Sequence, residues 1–420
     1  MRAGAPDLPL EPGRILAALA LALGTAPAWA DNDLHGRLEL QDAGQFASGD
    51  SLQAALGDRD ANDALGTFRL TWEPSSDKWS FAFHYLLSAE DGPPVALATA
   101  ETGKLQRPPA TWFDLTDTLA RHGAFTASQS IDRLSVAYAT PDLVVRVGRQ
   151  ALSWGSGLVF RPMDLFDPFS PLATDTEWKP GVDMLYVQTL FPGGGDLQFI
   201  LAPRPTHVGG PVTEDASSAA LHLHVDLFEH ETTWLLARDH GDWVAAFGVN
   251  GPLGGATWNL ETVPTVLRQG GTRVSALANI SDAETVLDRN ATLFAEYFRN
   301  GFGVAGGAPS IATLPQDLLD RLERGQVFDT RRDYLAGGMT LEVTPLFDLD
   351  PTLIIGLDDG SALALLAATY SLGDDLTLAA GIQAPIGRSR TEFGGFPLDP
   401  ANPLLLAPPG QVYLQLRRYF

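Results

Sequence analysis

Residues 411–420 read QVYLQLRRYF, and apolar and polar side chains alternate along this stretch with a period of two. One face carries Val412, Leu414 and Leu416, and the other carries Tyr413, Gln415 and Arg417. Successive side chains of a strand point to opposite faces. The stretch therefore predicts a β-strand with one apolar and one polar surface.

The same alternation recurs about every 20 residues along the chain, which predicts an all-β fold with about 18 strands and 16 as the nearest alternative. The expected strands are 34–44, 65–73, 78–88, 131–140, 143–151, 182–191, 197–203, 218–226, 232–238, 243–250, 255–263, 273–280, 291–299, 333–344, 352–358, 361–371, 376–384 and 411–420.

The connections between these strands alternate between short and long. The five longest expected connections are 45–64, 89–130, 152–181, 300–332 and 385–410, and each follows an odd-numbered strand. Short turns at one rim and long loops at the other are typical of membrane barrels. The pattern predicts a transmembrane antiparallel β-barrel with short periplasmic turns and long extracellular loops.

The two ends of the chain carry a resemblance to a known class. The terminal strand that finishes in Phe420 is similar to the last strand of Gram-negative outer-membrane barrels, although Arg418 departs from that pattern. The stretch 145–157, VRVGRQALSWGSG, resembles a strand and loop of porin-like and polysaccharide-export-like barrels. The resemblance implies a porin-like protein of the bacterial outer membrane, assembled by the barrel-assembly machinery.

The first 30 residues have the pattern of a secretory signal. Arg14 precedes the apolar run 15–23, and Ala28 and Ala30 form an Ala-x-Ala cleavage frame. We therefore expect a signal peptide over 1–30 and a barrel over 31–420. No later apolar run reaches the roughly 18 residues of a transmembrane helix.

Composition and motifs exclude several functions. The chain has 51 acidic and 28 basic residues and a net charge of -23, so no nucleic-acid partner is expected. It contains no Cys. The Gly-x-Ser-x-Gly, His-Glu-x-x-His and Walker A motifs are absent. Gly301, Gly303 and Gly306 match a dinucleotide pattern, but Pro309 follows and no helix is expected there. We predict no enzyme activity, no catalytic residues and no cofactor.

Charged residues on the polar faces divide by strand. The expected pore-lining basic residues are Arg37, Arg69, Arg133, Arg146 and Arg417, and the acidic ones are Glu261, Glu296 and Glu342. Barrel closure would place the basic strands in one sector and the acidic strands across the lumen, where they would create a transverse field. The alternative is an assortment of charges without a common role, as in any water-filled barrel.

The connection 152–181 is the expected constriction loop. Its aromatic and charged residues include Trp154, Phe160, Arg161, Asp164, Phe166, Asp167, Phe169 and Trp178. A loop this apolar gains free energy by burial, so we expect it to fold into the barrel and narrow the pore. The alternative is a contact between protomers of an oligomer.

His222, His224 and Asp226 share one face of an expected strand. Two His residues at i and i+2 can reach one metal ion, but a stable site needs further ligands. These three residues are a weak metal candidate beside the simpler interpretation as a polar lumen wall, and no metal site is predicted.

These features predict an outer-membrane channel for diffusion or export of a small or medium solute. The alternatives are a channel for hydrophobic compounds and a surface enzyme or binding protein on a barrel scaffold. The expected partners are outer-membrane lipid, lipopolysaccharide, the barrel-assembly machinery and the solute, and a homo-oligomer is left open. Acidic loops facing lipopolysaccharide could share divalent cations with it.

Overall fold

The computed structural model describes residues 34–92, 110–307 and 310–420. Within these ranges, eighteen long antiparallel strands form one closed barrel. Each strand pairs with its neighbours in chain order, and the last pairs with the first through the register Leu40 to Leu416. The predicted all-β barrel of 18 strands is confirmed. The predicted signal segment 1–30 lies outside the described residues.

The first nine strands are β1 Leu34–Phe46, β2 Asp60–Trp72, β3 Trp79–Asp91, β4 Phe125–Ala139, β5 Leu143–Gln150, β6 Val182–Leu190, β7 Asp196–Ala202, β8 Ser218–Leu227 and β9 His230–Asp239. The other nine are β10 Asp242–Leu253, β11 Ala256–Val266, β12 Thr272–Val286, β13 Arg289–Arg299, β14 Asp333–Thr344, β15 Phe347–Gly356, β16 Ala362–Gly373, β17 Leu376–Ile386 and β18 Gly410–Tyr419.

Shorter elements lie at the two rims: Ser75–Ser76 at the short-turn rim and the others in the long loops. The helices are α1 Leu52–Ala55, a 3-10 helix Ile311–Thr313 and α2 Gln316–Glu323. The short strands are Ser75–Ser76, Thr116–His122, Phe396–Pro397 and Leu405–Leu406. The sequence also predicts two short helical patterns, at Trp112, Leu115 and Leu119 and at Leu318, Leu319 and Leu322, and α2 confirms the second. The prediction around Trp112 and Leu119 is wrong, because residues 116–122 form a short strand. This strand pairs with the first residues of β4, 125–130, whereas β5 pairs with residues 134–139 of the same strand.

The two surfaces of the wall differ as the alternation predicts. Phe199, Leu221 and Leu236 lie side by side on the outer face of β7, β8 and β9, and all three are exposed. Their inward neighbours Ile200 and Ala220 are buried. An apolar outer face around a closed barrel is the surface that membrane lipid covers.

Aromatic side chains stand at the short-turn rim of the outer face. Trp79 packs against Tyr138 at 5.0 Å between ring centroids, and Trp72 packs against Phe81 at 5.4 Å. Amphipathic rings prefer the level of the lipid headgroups. Within the described ranges, no helix is long and apolar enough to cross a membrane.

The chain ends beside its own first strands. The Phe420 ring stacks on Phe68 of β2 at 6.1 Å, over Gly36 of β1. A side chain at position 36 would occupy the place of the Phe420 ring. Arg418 points outward and lies 3.6 Å from Asp375 in the turn after β16, so its charge has a partner. The C-terminal residue therefore packs over the seam where the barrel closes.

Candidate functional site: loop 151–181 inside the barrel

The connection between β5 and β6, here called loop 151–181, runs through the interior of the barrel. Its Trp154, Met163, Leu165 and Phe166 form one buried cluster with inward side chains of β6 to β11. Phe160 enters a second cluster with inward side chains of β12 to β16. The loop therefore packs against a large part of the inner wall.

Glu296 on β13 holds the first part of the loop. This carboxylate is completely buried and accepts hydrogen bonds from the backbone N–H groups of Leu158, Val159 and Phe160 at 2.6, 2.9 and 2.8 Å. The side-chain amide of Asn279 donates a fourth at 3.0 Å. A buried carboxylate is stable only when its oxygens are satisfied. Glu296 thus fixes the loop against this wall.

Two further contacts position the same part of the loop. Glu261 on β11 accepts a hydrogen bond from the backbone N–H of Ser156. The Phe160 ring stacks on Phe298 at 4.6 Å and lies 5.5 Å from Tyr334. The predicted acidic residues Glu261 and Glu296 therefore both contact the loop.

The remaining acidic residue of the predicted set lies elsewhere. Glu342 is half-buried near the short-turn end of β14 and accepts a hydrogen bond from Asn290 at 3.0 Å. It does not join Glu261 and Glu296 at the loop.

Basic residues hold the second part of the loop on the other side of the barrel. Arg37 on β1 pairs with Glu177 at 2.8 Å and with Asp175. The Trp178 ring contacts two guanidinium groups, 4.5 Å from that of Arg37 and 4.9 Å from that of Arg69. Such cation–π contacts stabilise an aromatic ring among charges.

Arg417 completes this side of the site. It pairs with Glu39 of β1 at 2.9 Å and donates to the backbone carbonyl of Thr174 at 3.2 Å. The amide of Gln383 on β17 donates to the carbonyl of Leu172 at 3.0 Å. The ion pair joins β18 to β1, and the two bonds to Thr174 and Leu172 join the barrel wall to the loop.

The predicted basic residues of β2 and β4 share one carboxylate that the sequence did not single out. Arg69 lies 2.6 Å and Arg133 3.1 Å from Asp132, the extra residue of a bulge in β4. Arg133 also donates to the backbone carbonyl of Lys179. Arg146 is half-buried on β5 and makes no ion pair with any described residue.

The loop also contains its own buried ion pair. The Lys179 ammonium lies 2.6 Å from Asp164, and both side chains are buried. Burial raises the pKa of Asp167, a neighbouring loop residue, to about 6. Arg161 lies 5.8 Å above the Phe169 ring, and Arg204 lies 5.4 Å above Phe166. All eight predicted loop residues therefore belong to the interior assembly.

The three residues of the weak metal candidate have different surroundings. The His222 ring is buried and stacks on Trp154 at 4.8 Å, and Trp154 donates to Gln198 at 3.0 Å. His224 lies 3.7 Å from Asp196, and Asp226 is exposed. Among the described residues, no group of three His, Asp or Glu side chains is arranged to bind a metal ion.

Two large cavities lie at different levels of the barrel. The outer one, here called the vestibule, has a volume of about 710 Å³ and is lined by α1, α2, loop residues 311–330 and 392–409, and the outer ends of several strands. The inner one, here called the polar chamber, has about 290 Å³ and lies toward the short-turn rim. Loop 151–181 contributes Ser170 to Leu172 to the vestibule and Ser153 to Ser156 to the polar chamber.

Solved structures share this architecture at very low sequence identity. OccAB2 of Acinetobacter baumannii matches with a TM-score of 0.56 and 11% identity over 94% of this chain and 99% of its own. OccK5 of Pseudomonas aeruginosa matches at 0.53 and 9% over 92% and 98%. Wzi of Escherichia coli, described as an outer-membrane carbohydrate-binding β-barrel involved in group 1 capsule assembly, matches at 0.53 and 10% over 96% and 86%.

These similarities are similarities of fold. No family model matches the chain, and no curated protein matches it in sequence. The closed barrel with its apolar outer face therefore has the fold of an outer-membrane β-barrel protein, as the sequence predicts.

Proposed function

We propose that the protein is a porin-like channel of the bacterial outer membrane, and that a small or medium solute crosses it past loop 151–181. The observation that carries this proposal is the attachment of the loop to two sides of the barrel interior. Glu296 binds the loop on one side and Arg37 binds it on the other. A segment held across a lumen limits what can pass.

The predicted charges would act on the solute less strongly than their number suggests. Arg37, Arg69 and Arg417 each have a carboxylate partner, and Glu296 is satisfied by backbone donors. Opposite charges in close pairs produce a weak field at a distance. We infer that the transverse field is set mainly by charges without close partners, of which Arg146 is the clearest example on the basic side.

A channel for hydrophobic compounds is the second candidate. Eighteen of the 27 residues that line the vestibule are apolar, including Leu314, Leu322 and Phe393. The polar chamber has the opposite character, with Gln198, Asn259 and several carboxylates. A solute with both apolar and polar parts could bind first in the vestibule and then in the polar chamber.

A binding protein on a barrel scaffold is the third candidate. It is favoured by the likeness in fold to Wzi, which is described as binding carbohydrate. In that case the loop would close the lumen and the cavities would serve as binding sites. Lipopolysaccharide contact, assisted assembly and oligomer formation remain parts of the proposal for each candidate.

Ion currents in a planar lipid bilayer distinguish a channel from a closed barrel. The purified full chain should give discrete current steps in potassium chloride. Swelling of liposomes in sugars, amino acids and aromatic acids and amines would then rank the solutes. If the folded barrel gives no current and no swelling, the channel proposal fails and the binding function becomes the better account.

A further inference from the structure

The vestibule contains one carboxylate whose environment is unlike that of the others. Asp329 lines the vestibule, is 8% exposed, and its side chain has no hydrogen-bond or ion-pair partner among the described residues. Its backbone is fixed, because Asn300 donates to the Asp329 carbonyl at 2.8 Å. A carboxylate in apolar surroundings without a partner is costly unless a ligand supplies one.

The nearby cations are already engaged. Arg331 is fully buried, lies 2.8 Å from Asp359, and donates to the carbonyl of Gly306 at 3.0 Å. Arg321 lies 2.7 Å from Asp242. The one basic residue that lines the vestibule is Arg121, which is exposed on the strand 116–122. Arg161 lines a smaller neighbouring cavity together with Asp329, but no described cation forms an ion pair with the Asp329 carboxylate.

The other carboxylates of the vestibule add to its negative character. Glu392 accepts hydrogen bonds from the backbone N–H groups of Thr330 and Arg331 at 3.0 and 3.1 Å, and Glu90 is half-buried on β3. Burial, and the proximity of Glu392, raise the pKa of Asp329 well above its ordinary value. A positive charge beside Asp329 would restore the ionised form.

Apolar groups provide the rest of the binding surface. The helix α2 presents Leu319 and Leu322 to the vestibule, and Leu405 and Phe393 line it from the loop before β18. The volume of about 710 Å³ lies within the range of roughly 300–1,000 Å³ that small-molecule sites occupy. An apolar cavity with one buried carboxylate is complementary to an amphipathic cation.

We propose that the vestibule binds small amphipathic amines, with the ammonium group on Asp329 and the apolar part among the leucines of α2 and the rings of the facing loop. This inference rests on the proposed channel function, for which the vestibule would be the outer entrance. It predicts selection against amphipathic carboxylates, because Asp329, Glu90 and Glu392 would repel them.

Equilibrium dialysis tests the proposal without requiring ion flow. The full chain in nanodiscs of zwitterionic lipid is compared with empty nanodiscs, using 4-phenylbutylamine and 4-phenylbutyrate at pH 7.5. The two probes share one apolar skeleton and differ in charge. We expect the amine to bind at least about tenfold more tightly, since one ion pair of this kind is worth that factor or more.

Asp329→Asn should reduce amine binding about tenfold, while Asp320→Asn serves as the matched control. Asp320 is a half-buried carboxylate of α2 that carries the same charge and does not line the vestibule. Equal binding of the two probes by the wild-type chain would overturn the proposal even if Asp329→Asn fails to fold. Unchanged amine binding by folded Asp329→Asn would also overturn it.

Potassium chloride currents measured on the same preparation separate the two claims. If the amine binds selectively and currents are absent, the channel proposal fails and the binding inference holds. If currents are present and the probes bind equally, the reverse conclusion follows.

Discussion

The backbone N–H of Phe160 donates a 2.8 Å hydrogen bond to the carboxylate of Glu296, 136 positions away in the chain. Neither group would be stable alone at this depth, since each is a buried polar group that requires a partner. The N–H groups of Leu158 and Val159 share the same carboxylate. The folded barrel and the folded loop are therefore coupled at Glu296.

Glu296→Gln should release the loop from β13. The glutamine side chain has only one acceptor oxygen, and its own N–H groups would face the N–H donors of the loop backbone. At least one charge-assisted hydrogen bond, worth roughly 1.5–3 kcal/mol, is therefore lost. We expect noisier open-channel current and faster chymotrypsin cleavage after Trp154, a residue of the same part of the loop. Glu342→Gln is the matched control, because Glu342 lies far from the loop at the short-turn end of β14. Equal effects of both variants would contradict this role of Glu296.

Lys179→Met should destabilise the loop more severely. It leaves the buried Asp164 carboxylate, 2.6 Å from the lost ammonium group, without its counterion. Breaking one side of a buried ion pair costs roughly 3–5 kcal/mol, whereas replacing both sides by apolar groups costs much less. Chymotrypsin cleavage after Trp154 should become rapid in Lys179→Met and return toward the wild-type rate in the double variant with Asp164→Leu. A double variant as labile as the single one would argue against this explanation.

Asp167 should make the loop sensitive to pH. Burial raises its pKa to about 6, while the charges of Arg204 and Lys179 lower it and those of Asp164 and Asp239 raise it. The docked loop therefore favours the protonated carboxyl: the stabilisation is complete below about pH 4 and is lost as the pH rises through about 6.

Current noise at different pH values measures this effect. In the wild-type channel, noise should increase between pH 5 and 7.5. Asp167→Asn, which imitates the protonated form, should show a smaller increase. The same pH dependence in both proteins would assign the titration to another group.

Arg146→Gln should change ion preference more than Arg133→Gln. Arg133 lies 3.1 Å from Asp132, whereas Arg146 has no ion pair with a described residue. Removing the uncompensated charge lowers the positive potential of the lumen and favours cations. The reversal potential in a salt gradient reports this preference directly. If Arg133→Gln gives the larger shift, the assignment of Arg146 to the conducting lumen is wrong.

The strand number was predictable because the alternation of side chains is local. Each of the 18 predicted strands overlaps one observed strand in the same order. The ends were less predictable: β2 begins at Asp60 rather than at 65, and β4 begins at Phe125 rather than at 131. These extensions lie toward the long-loop rim, where pairing continues after the need for an apolar outer face has ended.

The loop parity was also predictable. The long connections follow odd strands, and the loop 203–217, which the prediction did not include among the five longest, is longer than 47–59 and follows an odd strand as well. The length of each turn or loop is the number of residues between two alternating segments, which can be counted in the sequence.

The partners inside the barrel were not predictable in the same way. The contact between Lys179 and Asp164 joins two residues of one loop. The contact of Arg37 with Glu177 joins residues 140 positions apart. Asp132 pairs with both Arg69 and Arg133 because a bulge in β4 places it there. The role inferred for Asp329 was not predictable, because it depends on a cavity that several loops form together and on the lack of a partner among the described residues.

The central claim is that loop 151–181 limits passage through the barrel. The most direct test is the single-channel conductance of a variant in which the segment between Gly155 and Trp178 is replaced by a short Gly-Ser linker. Migration of unheated and heated protein on a denaturing gel confirms that the barrel is folded. We expect the conductance to rise severalfold and the solute selectivity to relax, because the segment bound by Glu296 and Arg37 is gone. A folded variant with wild-type conductance and selectivity would contradict the account and place the limiting element elsewhere in the barrel.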